Sequence, residues 1–401
     1  MNATDRDELK RRACARIDDL TPDLIDISRQ IYKNPEIAFQ EVEAARLLSG
    51  VLEANGLAVE RGVGDISTAF RGTTPGARPG PRIGLLSEYD ALVGLGHGCG
   101  HHLIAISGVG GGLGVAAVAG DLPGSVTVFG TPAEEGPSGK TILLARGVFD
   151  GIDVAVLFHP RDRAGVLRQM RTGQSLCFTF EGRHAHAAAD PDKAIDALNG
   201  VIALFNNVNL LRQHFRPDVS VTGNIPDGGS GAFPVLATAR FGVRVYEGET
   251  DFNELREMIV DCARGAALAT RTKLTVSYGG LERGMKFNDV LATVASTNAA
   301  DHLGLDISAQ MTIGGMSDFG NVSHWVPSVY LSTPAWPTGT TLHTEQAVEL
   351  GATPQAFEAA INAAKIEAMI AIDLLTDPDL LAAAREDFVA NDMGTIAARP
   401  A

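Results

Sequence analysis

The heptad Gly96–His102 holds one cysteine, three histidines and three glycines. Thiolate and imidazole are the side chains from which zinc, manganese, cobalt and nickel sites are built. Two other interpretations are an ordinary glycine turn with chance histidines, and a cysteine nucleophile with a histidine base. A metal site would constrain the whole chain, because distant segments must then bring further ligands to this loop.

Composition limits the class of protein. A chain of 401 residues with 45% hydrophobic content favours two domains. The net charge of −15 argues against nucleic acid or an anionic membrane as a partner, although a local basic pocket still permits a small anionic substrate. The N-terminus is charged, no apolar run approaches the ~20 residues of a membrane span, and the four cysteines lack a framework spacing. We therefore expect a cytoplasmic protein.

Short apolar runs alternate with helical segments in much of the chain. The runs are 66–70, 82–86, 125–129 and 153–158, with helices expected over 39–54, 103–119 and 139–146. This order predicts an α/β layered domain with a mostly parallel central sheet. Before it, apolar residues repeat every three to four positions over 5–31, which predicts a helix, and Thr21-Pro22 predicts a break within that helix.

The pattern changes between residues 172 and 282. Strand and helix signals there follow a β-α-β-β-α-β order, which predicts an inserted ferredoxin-like domain. We therefore predict a catalytic domain formed by 1–171 and 283–401 and a lid or dimerisation domain formed by 172–282. After Asp377 we expect mostly helix and then a loose end.

Polar residues follow the predicted strands at 87–90, 131–135 and 159–160. In open α/β sheets the ligand crevice lies at the carboxyl ends of the strands, so these loops and the heptad could share one site. The candidate ligands are Cys99, His101, one of Glu134 and Glu135, His159 and His343. Five ligands exceed the four of one tetrahedral ion and favour a dinuclear site. The second glutamate could then accept a proton from the attacking water.

Seven motifs occur in the order of a known family: SEYDAL, GHGCGHH, TPAEEG, FHP, GRHAHAA, GGMSDFGNVS and LHTEQA. With them the chain resembles the aminoacylase-like dinuclear metallohydrolases of peptidase clan MH. The most similar branch contains hippurate hydrolase, the plant auxin-conjugate amidohydrolases and p-aminobenzoyl-glutamate hydrolase. The resemblance extends over nearly the whole chain.

This resemblance implies a role for each matching residue. Two divalent ions, manganese or zinc before cobalt or nickel, would be bound by Cys99, His101, Glu135, His159 and His343. Glu134 would be the general base and then carry the proton to the leaving nitrogen. Asp90 would orient a ligand, as outer carboxylates do in metal sites.

The inserted domain also matches the family. Its GRHAHAA motif implies that His186, rather than His184, reaches a partner subunit's site to stabilise the oxyanion, which implies a homodimer. Arg244 matches a basic residue that can hold a substrate carboxylate. We also expect Gly315 and Ser317, in the GGMSDFG turn, to bind the substrate.

Three departures from the family leave the substrate open. His102 stands where relatives often have Asp or Asn. It could be a supporting group near the metals or only the first residue of a helix. The stretch 231–236 lacks the asparagine that commonly helps to hold the substrate. Trp325 and Trp336 lie near the last ligand in sequence and could line an aryl pocket.

We therefore expect a metal-dependent amidohydrolase that cleaves an N-acyl or aroyl amino acid or a dipeptide-like amide. The alternative within enzymes is hydrolytic deamination of an aminoaromatic acid at the same site. A non-catalytic binding protein would have a broken ligand set, whereas the set is complete here.

Overall fold

The computed structural model describes residues 3–74, 76, 78–246 and 250–391. The chain divides into two compact units. The first comprises Met1–Gln169, Met285–Ile313 and Ser317–Ala401, and the second comprises Met170–Gly284 and Gly314–Met316. The loose end predicted for the C-terminus falls on 392–401, outside the described residues.

The first unit contains a mixed sheet of eight strands. They are β1 (Ala58–Arg61), β2 (Phe70–Thr73), β3 (Arg78–Ser87), β4 (Pro123–Gly130), β5 (Val154–Phe158), β6 (Gly165–Gln169), β11 (Gln310–Thr312) and β12 (Ser328–Ser332), with β7–β10 in the second unit. Their spatial order is β1-β2-β4-β3-β5-β12-β6-β11. The central run β4-β3-β5-β12 is parallel throughout. The mostly parallel sheet predicted from the sequence is therefore confirmed.

Helices cover this sheet. They are α1 (Ala3–Lys33), α2 (Val42–Ala54), α3 (His101–Ala116), α4 (Gly139–Ala145), α7 (Asp289–Leu303), α8 (Phe319–Ser323), α9 (Glu345–Gly351), α10 (Pro354–Thr376) and α11 (Pro378–Ala390). Helix α3 is buried over nearly its whole length, and its glycines let α1, α10 and the sheet approach closely. A helix that is apolar on all sides belongs in a core, so α3 forms the centre of the unit.

The predicted break at Thr21-Pro22 is wrong, because α1 continues through Pro22. Proline in a helix interior removes one hydrogen bond and strains the preceding turn. The apolar residues on either side, from Ile17 to Leu24, are buried, and α1 packs on both α3 and α10. Burial of one continuous apolar face therefore outweighs the local cost of the proline.

The second unit is an antiparallel sheet with two helices. It contains β7 (Arg171–Glu181), α5 (Ala197–Leu211), β8 (Ser220–Asp227), β9 (Leu236–Tyr246), α6 (Phe252–Thr270) and β10 (Lys273–Glu282). The strand order is β10-β7-β9-β8. The β-α-β-β-α-β succession expected from the sequence is present. Phe178, Phe180 and Phe241 lie in its hydrophobic core with residues of both helices.

Short strands were the main omission of the sequence prediction. Strands β1, β6 and β11 were not predicted, and the run expected at 66–70 forms β2 four residues later. A strand of three to five residues carries too little alternation to be distinguished from a loop. Among the described residues, no helix is both long and apolar enough to cross a membrane.

Replacing Pro22 by Ala should raise the free energy of unfolding by about 1–3 kcal/mol, since the lost helix hydrogen bond returns and only part of this gain is offset by a more flexible unfolded chain. Urea unfolding measures the change. Pro378→Ala is the matched control, because Pro378 lies in the first turn of α11, where proline is tolerated. Equal effects of the two substitutions would contradict this account.

Candidate metal centre and active site

The heptad forms a turn that leads directly into α3. Gly100 has φ +76°, and a Cβ placed there would lie 2.9 Å from the Trp336 ring. Only glycine tolerates both conditions without strain. This tight turn places Cys99 and His101, the first residue of α3, on either side of one backbone bend.

The five predicted ligands fall into two groups that share one member. The first is Cys99, His101 and His159, and the second is Cys99, Glu135 and His343; within each group the candidate ligand atoms lie within 4.8 Å of one another. His101 Nε2 is buried and has no hydrogen-bond partner in the described part of the chain. A buried nitrogen without a partner is costly unless a ligand satisfies it. The chemistry of this donor set therefore fits a pair of divalent cations.

Asp90 connects the two sides of this centre. Its Oδ1 lies 2.9 Å from His101 Nδ1, and its Oδ2 accepts the backbone N–H of Glu135 at 2.9 Å. Burial alone would raise the pKa of Asp90, but His101 and the Glu135 amide hold it below its usual value. Since Asp90 accepts the hydrogen bond of the Nδ1–H group, Nε2 of His101 is directed into the site.

His159 is oriented in a similar way. Its Nδ1 donates to the carbonyl of Pro160 at 2.9 Å, and its Nε2 lies 3.4 Å from Cys99 Sγ. Burial, together with the nearby Arg161, holds the pKa of His159 well below its usual value. The imidazole is therefore neutral, which is the form that binds a metal.

Glu134 and Glu135 differ in environment although they are adjacent. Burial, with Glu88 and Glu135 nearby, raises the pKa of Glu134 well above its usual value. Burial would also raise the pKa of Glu135, but its hydrogen bond with His343 and the proximity of His101 lower it. The Nε2 of His343 lies 3.2 Å from Glu135 Oε1. The two carboxylates are thus suited to different tasks, proton transfer and metal binding.

Backbone strain marks the same loops. Ala133, directly before Glu134, has φ +64°, and His343 has φ +61°. Non-glycine residues rarely adopt this region, and such strain is concentrated at functional sites.

A buried ion cluster next to the site was not anticipated from the sequence. The ammonium of Lys140 lies 2.7 Å from Glu88 and 2.6 Å from Asp318, and all three side chains are fully buried. Glu88, Glu134 and Asp318 also form a group of neighbouring carboxylates. Lys140 therefore offsets part of the negative charge behind Glu134. The sequence signal was Glu88 and Asp318 inside matched motifs, without a partner to suggest their role.

The other two histidines of the heptad lie away from the candidate ligands. His102 Nε2 lies 2.9 Å from the carbonyl of Gly351, and His97 Nε2 lies 3.2 Å from that of Ile31. Their rings contact each other, with centroids 5.1 Å apart. Successive helical residues point about 100° apart, so His101 and His102 cannot both face the site.

The remaining predicted residues have the following positions. In the second unit, His184 and His186 are exposed, Arg244 donates to Thr222 Oγ1 at 3.1 Å, and the carbonyl of Gly315 accepts the Arg171 amide. In the first unit, Ser317 is buried before α8. Trp336 is also buried there and donates to the carbonyl of Ala347, so it packs beneath the Gly100 turn. Trp325 is 36% exposed.

The paired ligand groups and the largely buried glutamate beside them have the composition of a metal-dependent hydrolase site. The family model for Peptidase family M20/M25/M40 matches residues 85–363. The chain belongs to this family, which confirms the resemblance found in the motifs. It is a metal-dependent amidohydrolase.

Curated relatives match over nearly the full length. Xaa-Arg dipeptidase of Mus musculus is 33% identical, with 96% of this chain and 94% of the relative covered. One subunit of the p-aminobenzoyl-glutamate hydrolase of Escherichia coli is 28% identical, with 89% and 90% covered. A solved Bacillus subtilis structure, described as a dinuclear metal binding peptidase from the M20 family, has a TM-score of 0.66 at 20% identity and covers 89% of this chain and 99% of its own. This likeness supports the fold.

Asp90→Asn should weaken metal binding about 10- to 100-fold, because the neutral amide orients His101 less well. Competition with a chromogenic zinc chelator measures the affinity. Asp121→Asn is the matched control, since Asp121 pairs only with Arg12 on the surface in the contacts described here. Equal affinities of the Asp90 variant and the wild type would contradict the role of Asp90.

Proposed function

We propose that the protein hydrolyses the amide C–N bond of a small dipeptide or of an N-acyl or aroyl amino acid. The observation that carries this proposal is the position of the largely buried Glu134 in one group with His101 and Glu135, which both belong to the candidate ligand set. A proton-accepting carboxylate next to a metal centre is what hydrolysis at neutral pH requires.

Cys99, His101, Glu135, His159 and His343 would hold two divalent cations. When bound, the cations supply Lewis acidity to the scissile carbonyl and to the attacking water. Manganese or zinc suits this mixed set of thiolate, imidazole and carboxylate, with cobalt and nickel as further candidates. The carboxylate of Glu135 and the thiolate of Cys99 would offset part of the charge of these cations.

Glu134 would accept the proton of the attacking water and deliver it to the leaving nitrogen. Its raised pKa favours the second step, because a carboxylate that readily takes a proton is a good relay between water and amine. The ammonium of Lys140 offsets part of the negative charge of Glu88 and Asp318, the two carboxylates grouped with Glu134.

The relatives indicate the substrate class. Their names specify Xaa-Arg dipeptides and p-aminobenzoyl-glutamate. Both compounds are amides with a carboxylate on the amine side of the bond. Arg244 lies on β9, which pairs with β7 on one side and with β8 on the other in the sheet of the second unit, called here the lid sheet. We propose that Arg244 binds the substrate carboxylate, with Gly315 and Ser317 as further contacts.

His186 is the proposed oxyanion donor, acting in a homodimer. Its Nδ1 accepts the backbone N–H of Ala189, so Nε2 of the neutral ring carries the proton and can donate. Strand β8 forms an edge of the lid sheet, and its residues 222–227 are exposed, as is Leu210 on α5. An exposed strand edge is suited to pairing with a second chain.

We also propose a cytoplasmic location. Cys14, Cys99, Cys177 and Cys262 are all free thiols, which suits a reducing compartment.

Glu134→Gln should lower kcat by about 10²- to 10⁴-fold, because the amide cannot accept the proton. Metal content, measured by elemental analysis, should stay at the wild-type level. Glu53→Gln is a matched control on the surface, where Glu53 pairs with Arg61. Wild-type activity in the Glu134 variant would refute the proposed mechanism.

Mixing two inactive variants tests action across the dimer. A heterodimer combines one Glu134→Gln subunit with one His186→Ala subunit. If the histidine acts in trans, one of its two sites contains both an intact Glu134 and the intact His186 of the partner subunit. If the histidine acts in cis, neither site is complete. With action in trans, random mixing should restore about a quarter of the wild-type activity. No restoration after verified subunit exchange would contradict trans action, and His184→Ala in the same assay serves as the control.

A substrate screen tests the bond type. We expect turnover of dipeptides with a C-terminal basic residue or of aroyl amino acids, with manganese or zinc added, followed by amine release. Ammonia release from aminoaromatic acids, without activity on the amides, would favour the deaminase alternative.

A further inference from the structure

Glu41 stands at the N-cap of α2 but does not cap it. Within the described residues, its side chain accepts none of that helix's first amides. The carboxylate of Glu36 does so instead, accepting the backbone N–H of Glu43 at 3.0 Å and of Ala44 at 2.9 Å. The usual N-cap function is therefore provided by a neighbour. The Glu41 side chain, which is fully buried, is left to act elsewhere.

Glu41 reaches the loop that carries the proposed general base. Its Oε1 accepts the backbone N–H of Ala133 at 2.9 Å. Ala133 precedes Glu134 and has φ +64°, and its own carbonyl accepts the amide of Gly139. A strained residue persists only where its surroundings hold it in place, and the Glu41 carboxylate supplies such a contact.

The amide on the other side of Glu134 is held in the same way. Asp90 Oδ2 accepts the backbone N–H of Glu135 at 2.9 Å. The two amides that flank Glu134 thus donate to two buried carboxylates from different parts of the chain. In addition, the carbonyl of Glu36 accepts the amide of Ala91, which follows Asp90, at 2.8 Å. The segment Glu36–Ala44 therefore contacts both loops, the one that follows β3 and the one that follows β4.

We propose that Glu41 is a positioning residue for catalysis, which fixes Glu134 by holding the Ala133 amide. The proposal rests on the proposed role of Glu134. Burial raises the pKa of Glu41 to about 7, because removal from water disfavours the charged carboxylate. A carboxylate in such an environment adds little to the stability of the fold. A shift of the base by about 1 Å is enough to cost on the order of 10²-fold in rate.

The test compares Glu41→Leu, which lacks the acceptor, with Glu41→Gln, which keeps an acceptor oxygen. Glu43→Leu is the matched control, because Glu43 lies two residues away and pairs with Arg46 on the surface. Four quantities are measured on the full chain: kcat, KM, bound metal, and deuterium uptake of peptides covering residues 131–138. If Glu41→Leu does not fold, Glu41→Asp replaces it, because the shorter side chain cannot reach Ala133.

We expect Glu41→Leu to lower kcat by about tenfold or more, with KM and bound metal near the wild-type values. Deuterium uptake at 131–138 should rise, while Glu43→Leu should change none of these quantities. Glu41→Gln should restore most of kcat and most of the protection from exchange.

Wild-type kcat and unchanged uptake in Glu41→Leu would overturn the proposal, and so would a loss of bound metal that accounts for the loss of rate. Glu134→Gln is assayed in parallel. Full activity in that variant refutes the general base itself, whereas an inactive Glu134→Gln with an active Glu41→Leu refutes only the positioning role.

Discussion

The site depends on the double contact that Asp90 makes with His101 and with the Glu135 amide. One carboxylate orients an imidazole from the start of α3 and also holds the loop that follows β4. Two candidate ligands from separate segments are thereby fixed relative to each other. Because such an outer contact sets both the tautomer and the direction of a ligand, the remaining donors can be placed around it.

The same region concentrates buried charge, which a fold tolerates only with compensation. Glu88, Glu134 and Asp318 lie close together, and the ammonium of Lys140 contacts two of them. Burial of an ion pair costs desolvation energy that its mutual attraction only partly returns. The buried helix α3 and the parallel strands beside it provide the rigid surroundings in which this arrangement is held. The folding free energy of the rest of the unit therefore offsets the desolvation cost of the buried charges in the site.

Much of the fold could be predicted because its signals are local and repeated. The alternation of apolar runs and helices indicated the layered sheet, and the β-α-β-β-α-β order of the insertion is present. Local rules failed where tertiary packing opposed them. Pro22 was expected to end a helix, yet α1 continues because the apolar residues on both sides of it are buried. The short strands β1, β6 and β11 escaped prediction, since they depend on their neighbours for pairing.

The sequence by itself determined the chemistry, because thiolate, imidazole and paired carboxylates in ordered motifs specify a metal-dependent amidohydrolase of the M20/M25/M40 family. Only the tertiary structure decided how neighbouring residues divide between tasks. His101 faces the candidate ligands while His102 contacts the carbonyl of Gly351. Glu41 reaches the Ala133 amide across 92 residues of chain. The physical reason is that side-chain direction and burial are set by backbone geometry and packing, which a motif does not contain.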